Sequence, residues 1–275
     1  MADRVQKGWW FAVLLSIGLP FVPPVASAQD GAIDRESYGR AAEYCRTIRP
    51  RSLITLSPDK HILCLDAVLL PGLDVSPAET LEPGGLVVIR SLGGREDKAL
   101  ELAKLIRDRH ATVVVYDYCF SACAEFIMTA PDHTFVLKDA LVLWHNPGSS
   151  DPADPYCAFL KTSREGGPRA FRRGPCREGG DTVEYSSARI AQYFRERAID
   201  PSSVAPPDSA HVRKRVASIY AETGVDRDIL WTLHPRYYPR LFKADIVFES
   251  YPQSQEEVDA AAARLSIKSK IIYDP

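Results

Sequence analysis

The sequence predicts an α/β domain built on a largely parallel β-sheet, and three observations carry that expectation. Through the centre of the chain, apolar β-branched runs alternate with helix-like stretches in the order strand, helix, strand, helix, strand. The runs are continuous rather than alternating, as strands buried on both faces of a parallel sheet are. The chain is 275 residues long with 45% hydrophobic residues, enough for one full core.

The elements follow in order. "GGLVVIRS" (84–91) has a continuous apolar centre and runs into "LGG", so it reads as a buried strand entering a glycine turn. In "EDKALELAKLIRDRH" (96–110), Ala99, Leu102, Ala103 and Ile106 share one helical face and charges occupy much of the other. "ATVVVYD" (111–117) is strand-like. "SACAEFIMTA" (121–130) reads as a short helix stopped by Pro131, and "HTFVL" (133–137) and "ALVLWH" (140–145) as two further strands. Beyond these, "SAHVRKRVASIYAETGVDRDILWTLH" (209–234) reads as two consecutive helices broken at Gly224.

In such sheets, chemistry gathers where strands end and helices begin. Three points qualify: Gly93-Gly94, Ser121 and His145. Ser121 falls where a strand turns into a helix N-terminus, among unpaired N–H groups at the positive end of the helix dipole. A serine hydroxyl needs an adjacent base to act as a nucleophile. His145 suits that role, since imidazole takes up and returns a proton near neutral pH. The backbone N–H groups of Ala122 and Gly94 are the candidate oxyanion donors, and glycine at 93 and 94 lets the backbone approach a substrate. The competing structural readings are an N-cap for Ser121, a hydrogen-bonding strand end for His145 and a plain turn for Gly93-Gly94.

Together, "VVIRSLGGREDKALELAKLIRDRH", "VVVYDYCFSACAEFIM" and "LVLWHNP" resemble the Clp protease proteolytic subunit and its crotonase-like fold relatives, above all the exported Clp-like proteins of bacteria whose serine is flanked as C-x-S-A-C. The match covers roughly residues 55–147. The family pattern of a Ser-x-Gly-Gly turn, a serine opening the next helix and a histidine some two dozen residues on falls on Ser91-Leu92-Gly93-Gly94, Ser121 and His145, with an interval of 24 residues from serine to histidine. The resemblance implies a spiral of ββα units, a serine peptidase activity on peptide or protein substrates, and a family habit of forming homo-oligomers. The usual proline of the turn is Leu92 here. For the triad acid the resemblance points to "LFKADIVFESYPQSQEEV" (241–258), with Asp245 as candidate and Asp226 and Asp228 as competitors. A Ser-Lys mechanism would need Lys104 or Lys138; neither has a strong positional case, and His145 explains more.

The chain opens with Arg4 and Lys7, an apolar run from Trp9 to Val22 and the small-x-small triplet Ala26-Ser27-Ala28. This reads as a secretory signal peptide over residues 1–28, cleaved after Ala28. Residues 29–275 then make a single secreted or periplasmic domain, interrupted by a Gly- and Pro-rich insertion at about 146–181. All six cysteines follow the cleavage site, and an even number in an exported chain reads as disulfides. Fifteen pairings exist, and chain neighbours suggest Cys45–Cys64, Cys119–Cys123 and Cys157–Cys176. The last pair would close the insertion. Metal ligation lacks the usual C-x-x-C or H-x-x-x-H spacing.

A net charge of −2 gives no argument for nucleic acid or for an anionic membrane. No G-x-x-x-x-G-K-[ST] motif is present, so no intrinsic ATPase is expected, and nothing calls for a cofactor. Two functional readings follow. The first is an exported serine endopeptidase using Ser121, His145 and Asp245; the second is a non-catalytic binding or scaffold protein that keeps the fold.

Overall fold

In the computed structural model, the residues described are 35–48, 53–144, 181–199 and 229–275, with Lys214, Arg215, Ser218 and Glu222. The expected signal peptide, His145, Asp226, Asp228, and Cys157 and Cys176 lie outside them, as does the expected insertion up to residue 180.

Helix α1 (Arg35–Thr47) precedes a short antiparallel pair, β1 (Ile54–Leu56) and β2 (Ile62–Asp66). A one-turn helix α2 (Ser76–Glu79) leads to β3 (Leu86–Ser91), α3 (Glu96–Asp108) and β4 (Thr112–Phe120). A π-helical turn (Cys123–Ile127) follows, then β5 (His133–Val136), β6 (Leu141–Leu143), helix α4 (Asp181–Arg197) and β7 (Ile229–Leu233). The chain continues through the short helix α5 (Tyr238–Leu241), β8 (Asp245–Phe248), α6 (Gln255–Arg264) and β9 (Lys270–Asp274).

The main sheet has the order β1-β2-β3-β4-β5-β8, with β6 added on β4. Every pairing in it except β1–β2 is parallel. A second parallel pair, β7–β9, meets β6 through an antiparallel bridge between Trp144 and Trp231. The α/β class with a mostly parallel sheet thus matches the expectation. The central apolar runs are strands for the reason expected: Val87–Ile89 and Val113–Val115 are buried and pair on both sides, and Leu141–Leu143 are buried and pair with β4. Ala99, Leu102, Ala103 and Ile106 form the buried face of α3.

Three local expectations are corrected. The strand expected at 111–117 runs on to Phe120, because Tyr118–Phe120 pair with β6 while Val113–Val115 pair with β5. A bulge makes this change of partner: Ile89 faces Val115, but Ser91 faces Cys119, and Asp117 takes φ +56°. The helix expected at 121–130 contracts to the five-residue π turn, since Thr129 to Pro131 bend away before β5. The second of the helices expected within 209–234 is in part β7. Its "ILWTL" is rich in β-branched and aromatic residues and finds a partner in β9, so pairing overrides the helical reading. Near the C-terminus, α6 has Ser254 as N-cap, its side chain accepting from the Glu257 N–H.

Two disulfides hold the frame. Cys45–Cys64 ties α1 to β2, and Cys119–Cys123 ties the end of β4 to the π turn, each with Cα atoms 5.4 Å apart. Both agree with the neighbour pairing read from the sequence.

Candidate functional site at the Ser121 elbow

Ser121 is the residue at which β4 becomes the π turn, and it has φ +53°. For a non-glycine residue this left-handed conformation costs on the order of 1–2 kcal/mol. It is a strand-to-helix elbow, the geometry that lifts a nucleophile clear of its sheet. Its backbone is fully committed: the Ser121 N–H donates to the Leu143 carbonyl at 3.0 Å, and the Ser121 carbonyl accepts from the Glu125 N–H at 2.9 Å. The cap position of the π turn is Ala122, which makes no side-chain capping bond.

The glycine turn lies directly against this elbow. Gly93 has φ +75°, and a Cβ there would come within 2.4 Å of the Phe120 carbonyl oxygen and 2.8 Å of the Ser121 Cβ. Gly94 has φ +131°, and a Cβ there would stand 2.6 Å from the Leu69 carbonyl oxygen. Only glycine fits at both positions. The turn is pinned from below. Leu69 N–H donates to Gly93 O, Arg95 N–H donates to Leu69 O, and Gly93 N–H donates to Ser91 Oγ at 3.1 Å. Ser91 Oγ donates in turn to the Ala67 carbonyl at 2.6 Å, so this buried hydroxyl anchors the turn to the segment after β2. The motif marked Ser91 in the sequence, but only the structure gives it this task.

Neither the Gly94 N–H nor the Ala122 N–H donates in any of the turn, loop or cap hydrogen bonds among the described residues. Ala122 N is 3.0 Å from where a Gly93 Cβ would stand, so the glycine turn lies against the start of the π turn. Leu92, at 49% exposure, and Val68 present apolar surface on the two chain segments that meet at this turn.

His145 lies outside the described residues, but the residue before it is firmly placed. Trp144 is buried, exchanges two backbone hydrogen bonds of 2.9 Å with Trp231, and stacks on Phe242 with ring centroids 5.8 Å apart. Leu143, one residue earlier, is the acceptor for the Ser121 N–H. The strand that leads to His145 therefore ends beside Ser121.

Asp245 is not brought to this site. It opens β8 in register with His133, and its carboxylate lies 3.3 Å from the His133 Nδ1 in a largely exposed pair. His133 opens β5, which runs beside the start of β4. All these strands are parallel, so Asp245 stands at the end of the sheet where β4 begins and Ser121 at the end where it finishes. That is a span of roughly 25 Å at about 3.3 Å per residue. The expected acid is corrected on this ground. The Lys104 side chain bonds Asp108 on the exposed face of α3, so this contact does not direct it to the serine.

A carboxyl that sequence reading passed over lies one turn beyond the serine. Glu125 is 7% exposed. Burial first, and the nearby Glu96 carboxylate second, push its pKa up to about 8. The signal was a lone acid within the apolar run Ala122–Met128.

Among the described residues, no group of three or more His, Cys, Asp and Glu side chains is arranged to hold a metal ion, and no helix is long and apolar enough to cross a membrane. No family model matches the chain, and no curated protein matches it. Among solved structures, it is similar to a peptidase from Plasmodium falciparum at 10% identity, over 53% of this chain and 82% of that one, with a TM-score of 0.36. It is also similar to a mutant ClpP1 from Listeria monocytogenes at 17% identity, over 47% of this chain and 78% of that one, with a TM-score of 0.30. Likeness this loose assigns neither an activity nor a family.

Proposed function

We propose that the chain is an exported serine hydrolase that cleaves peptide bonds at Ser121. The observation that carries this reading is the left-handed Ser121 at the strand end, packed against a glycine that no other residue could replace. Backbone strain of this kind, costing of order 1–3 kcal/mol, persists where the surroundings over-determine it, and it clusters at active sites.

In the proposed reaction, Ser121 Oγ attacks the peptide carbonyl while His145 takes its proton, and the Gly94 and Ala122 N–H groups stabilise the oxyanion. His145 then returns the proton to the departing amine, and water releases the acyl group by the same route. With Asp245 at the far end of the sheet, Ser121 and His145 act as a dyad or take their acid from elsewhere in the chain. Two buried disulfides support an oxidising compartment, in line with a signal peptide over residues 1–28 and with a Cys157–Cys176 bond across the insertion. Assembly into a homo-oligomer and a crotonase-like spiral belong to the same proposal, as the resemblance around Ser121 implies.

The second reading, a binding protein on the same frame, is favoured by the distance of Asp245 from the serine. Digestion of an unstructured protein substrate separates the two. Cleavage that is lost in both Ser121→Ala and His145→Ala, with both variants folded, supports the hydrolase. Unchanged cleavage in Ser121→Ala, or none in the wild type, supports the binding protein.

A further inference from the structure

Strand β6 is held on both sides, and part of its outer hold is made by side chains. On the inner side, the Leu143 carbonyl faces β4 and accepts the Ser121 N–H at 3.0 Å. Successive residues of a strand bond to opposite sides, so Val142 and Trp144 face the other way. Trp144 there exchanges its two backbone bonds with Trp231. Val142 is met by hydroxyl groups instead. Its N–H donates to the Tyr251 hydroxyl at 3.0 Å, and its carbonyl accepts from Thr232 Oγ1 at 2.8 Å and faces the Tyr251 hydroxyl at 3.2 Å. The two hydroxyls also bond each other. One donor order satisfies every group: Val142 N–H to Tyr251, Tyr251 O–H to Thr232, and Thr232 O–H back to the Val142 carbonyl.

This closed ring is buried, with Val142 and Thr232 at 0% and Tyr251 at 7% exposure. The Tyr251 phenol is itself held. Its ring lies edge-on to Phe248, with centroids 4.8 Å apart, and its carbonyl accepts from the Gln253 side-chain amide at 2.8 Å. Phenylalanine and valine would fill the same space, but they would leave the buried Val142 N–H and carbonyl unpaired, at about 1–3 kcal/mol each.

What the ring controls follows from its place. Leu143, whose carbonyl fixes the left-handed Ser121, stands between the two outer holds: the ring at Val142 and the Trp231 backbone at Trp144. Trp144 is also the residue before His145 in the chain, so the same holds fix the point from which the chain continues to the proposed base. We propose that Tyr251 and Thr232 are positioning residues for Ser121, whose hydroxyl ring sets the Leu143 carbonyl and through it the elbow. This rests on the serine-hydrolase reading.

The test measures the rate of fluorophosphonate labelling per folded molecule in Thr232→Val, Thr232→Ser and Tyr251→Phe. Thr232→Val keeps the shape and loses the hydroxyl; Thr232→Ser keeps the hydroxyl. The valine and phenylalanine variants should label about tenfold to a hundredfold more slowly, the scale of a small misplacement of a reacting group. Thr232→Ser should label at the wild-type rate. The double variant Cys45→Ala, Cys64→Ala is the control for stability loss alone, and it too should label at the wild-type rate. Should Tyr251→Phe fail to fold, Thr232→Val against Thr232→Ser decides. Wild-type rates in the valine and phenylalanine variants, or a serine variant as slow as the valine one, overturn the positioning role and leave the serine reading standing. No labelling of the wild type overturns the serine reading, and hydrogen exchange then judges the ring. The Ser121 N–H in Thr232→Val should exchange about tenfold faster relative to the Leu86 N–H, which bonds the His61 carbonyl at the far end of the sheet. An unchanged ratio overturns the ring's hold on the elbow.

Discussion

Two left-handed residues lie four apart on the same segment, and they are held in different ways. Asp117 has φ +56° and Ser121 φ +53°. Asp117 is secured by its own side chain: its carboxylate accepts from Arg90 at 2.9 Å and from Arg46 at 3.0 Å, and both arginines lie over the Tyr116 ring, Arg90 5.4 Å and Arg46 5.1 Å from its centroid. The conformation serves the bulge that lets β4 change partners. Ser121 is secured from outside, by Gly93 beneath it, by the Leu143 carbonyl, and by the Cys119–Cys123 bond that spans it. Strain at Asp117 builds the sheet. Strain at Ser121 is imposed by the contacts around it, at a residue placed where a strand end meets a turn, and strain of that kind clusters at active sites.

The contrast is open to breaking, and the largest effect belongs to Gly93. Gly93→Ala places a methyl group 2.4 Å from the Phe120 carbonyl oxygen at a φ that alanine resists, so either the elbow or the turn must move. A destabilisation of about 2–4 kcal/mol in denaturant melts is expected, with serine reactivity lost even where the variant still folds.

The two disulfides differ in the same sense. Replacing Cys119 and Cys123 by alanine opens a five-residue loop and should cost about 2 kcal/mol; replacing Cys45 and Cys64 opens a longer loop and should cost about 3 kcal/mol. The smaller loss should nevertheless be the one that depresses reactivity at Ser121, because only that bond spans the elbow. Equal reactivity in the two double variants would show that the staple has no bearing on the site.

Glu125 gives a pH signature. Its folded pKa, about 8, lies above the unfolded value near 4.5, so the folded state binds more protons between them. Stability from this group is fully present below pH 4.5 and is lost as pH rises through 8, by about a few kcal/mol. Glu125→Gln should flatten that decline, and melts from pH 5 to pH 9 would show the variant overtaking the wild type at the alkaline end. Parallel curves would place the carboxyl in water.

The smallest effect should be at the far end of the sheet. His133 and Asp245 form a mostly exposed pair, so Asp245→Asn should alter stability by no more than about 0.5 kcal/mol and leave Ser121 reactivity unchanged.

The site was legible where it depends on local pattern. Continuous apolar runs marked β3, β4 and β6, the amphipathic face marked α3, and Gly93-Gly94 marked a turn that only glycine can make. What depends on long-range pairing was hidden. Nothing in "KADIVFES" says that β8 would pair with β5 at His133 and so carry Asp245 to the wrong end. "ILWTL" kept its helical reading until β9 offered it a partner. The bulge at Asp117 needs Arg46 and Arg90, contributed by α1 and β3, before its left-handed conformation makes sense. Glu125 was visible as a letter, but its burial arises from α3 packing over the π turn.

If the Ser121 elbow presents a nucleophile, a fluorophosphonate forms an adduct there, and mass-spectrometric mapping of that adduct locates it. Oxidised, folded protein should carry one adduct, on the peptide containing Ser121, and Ser121→Ala should carry none. An unmodified Ser121 in folded, disulfide-intact protein, or an adduct that persists in Ser121→Ala, would contradict it.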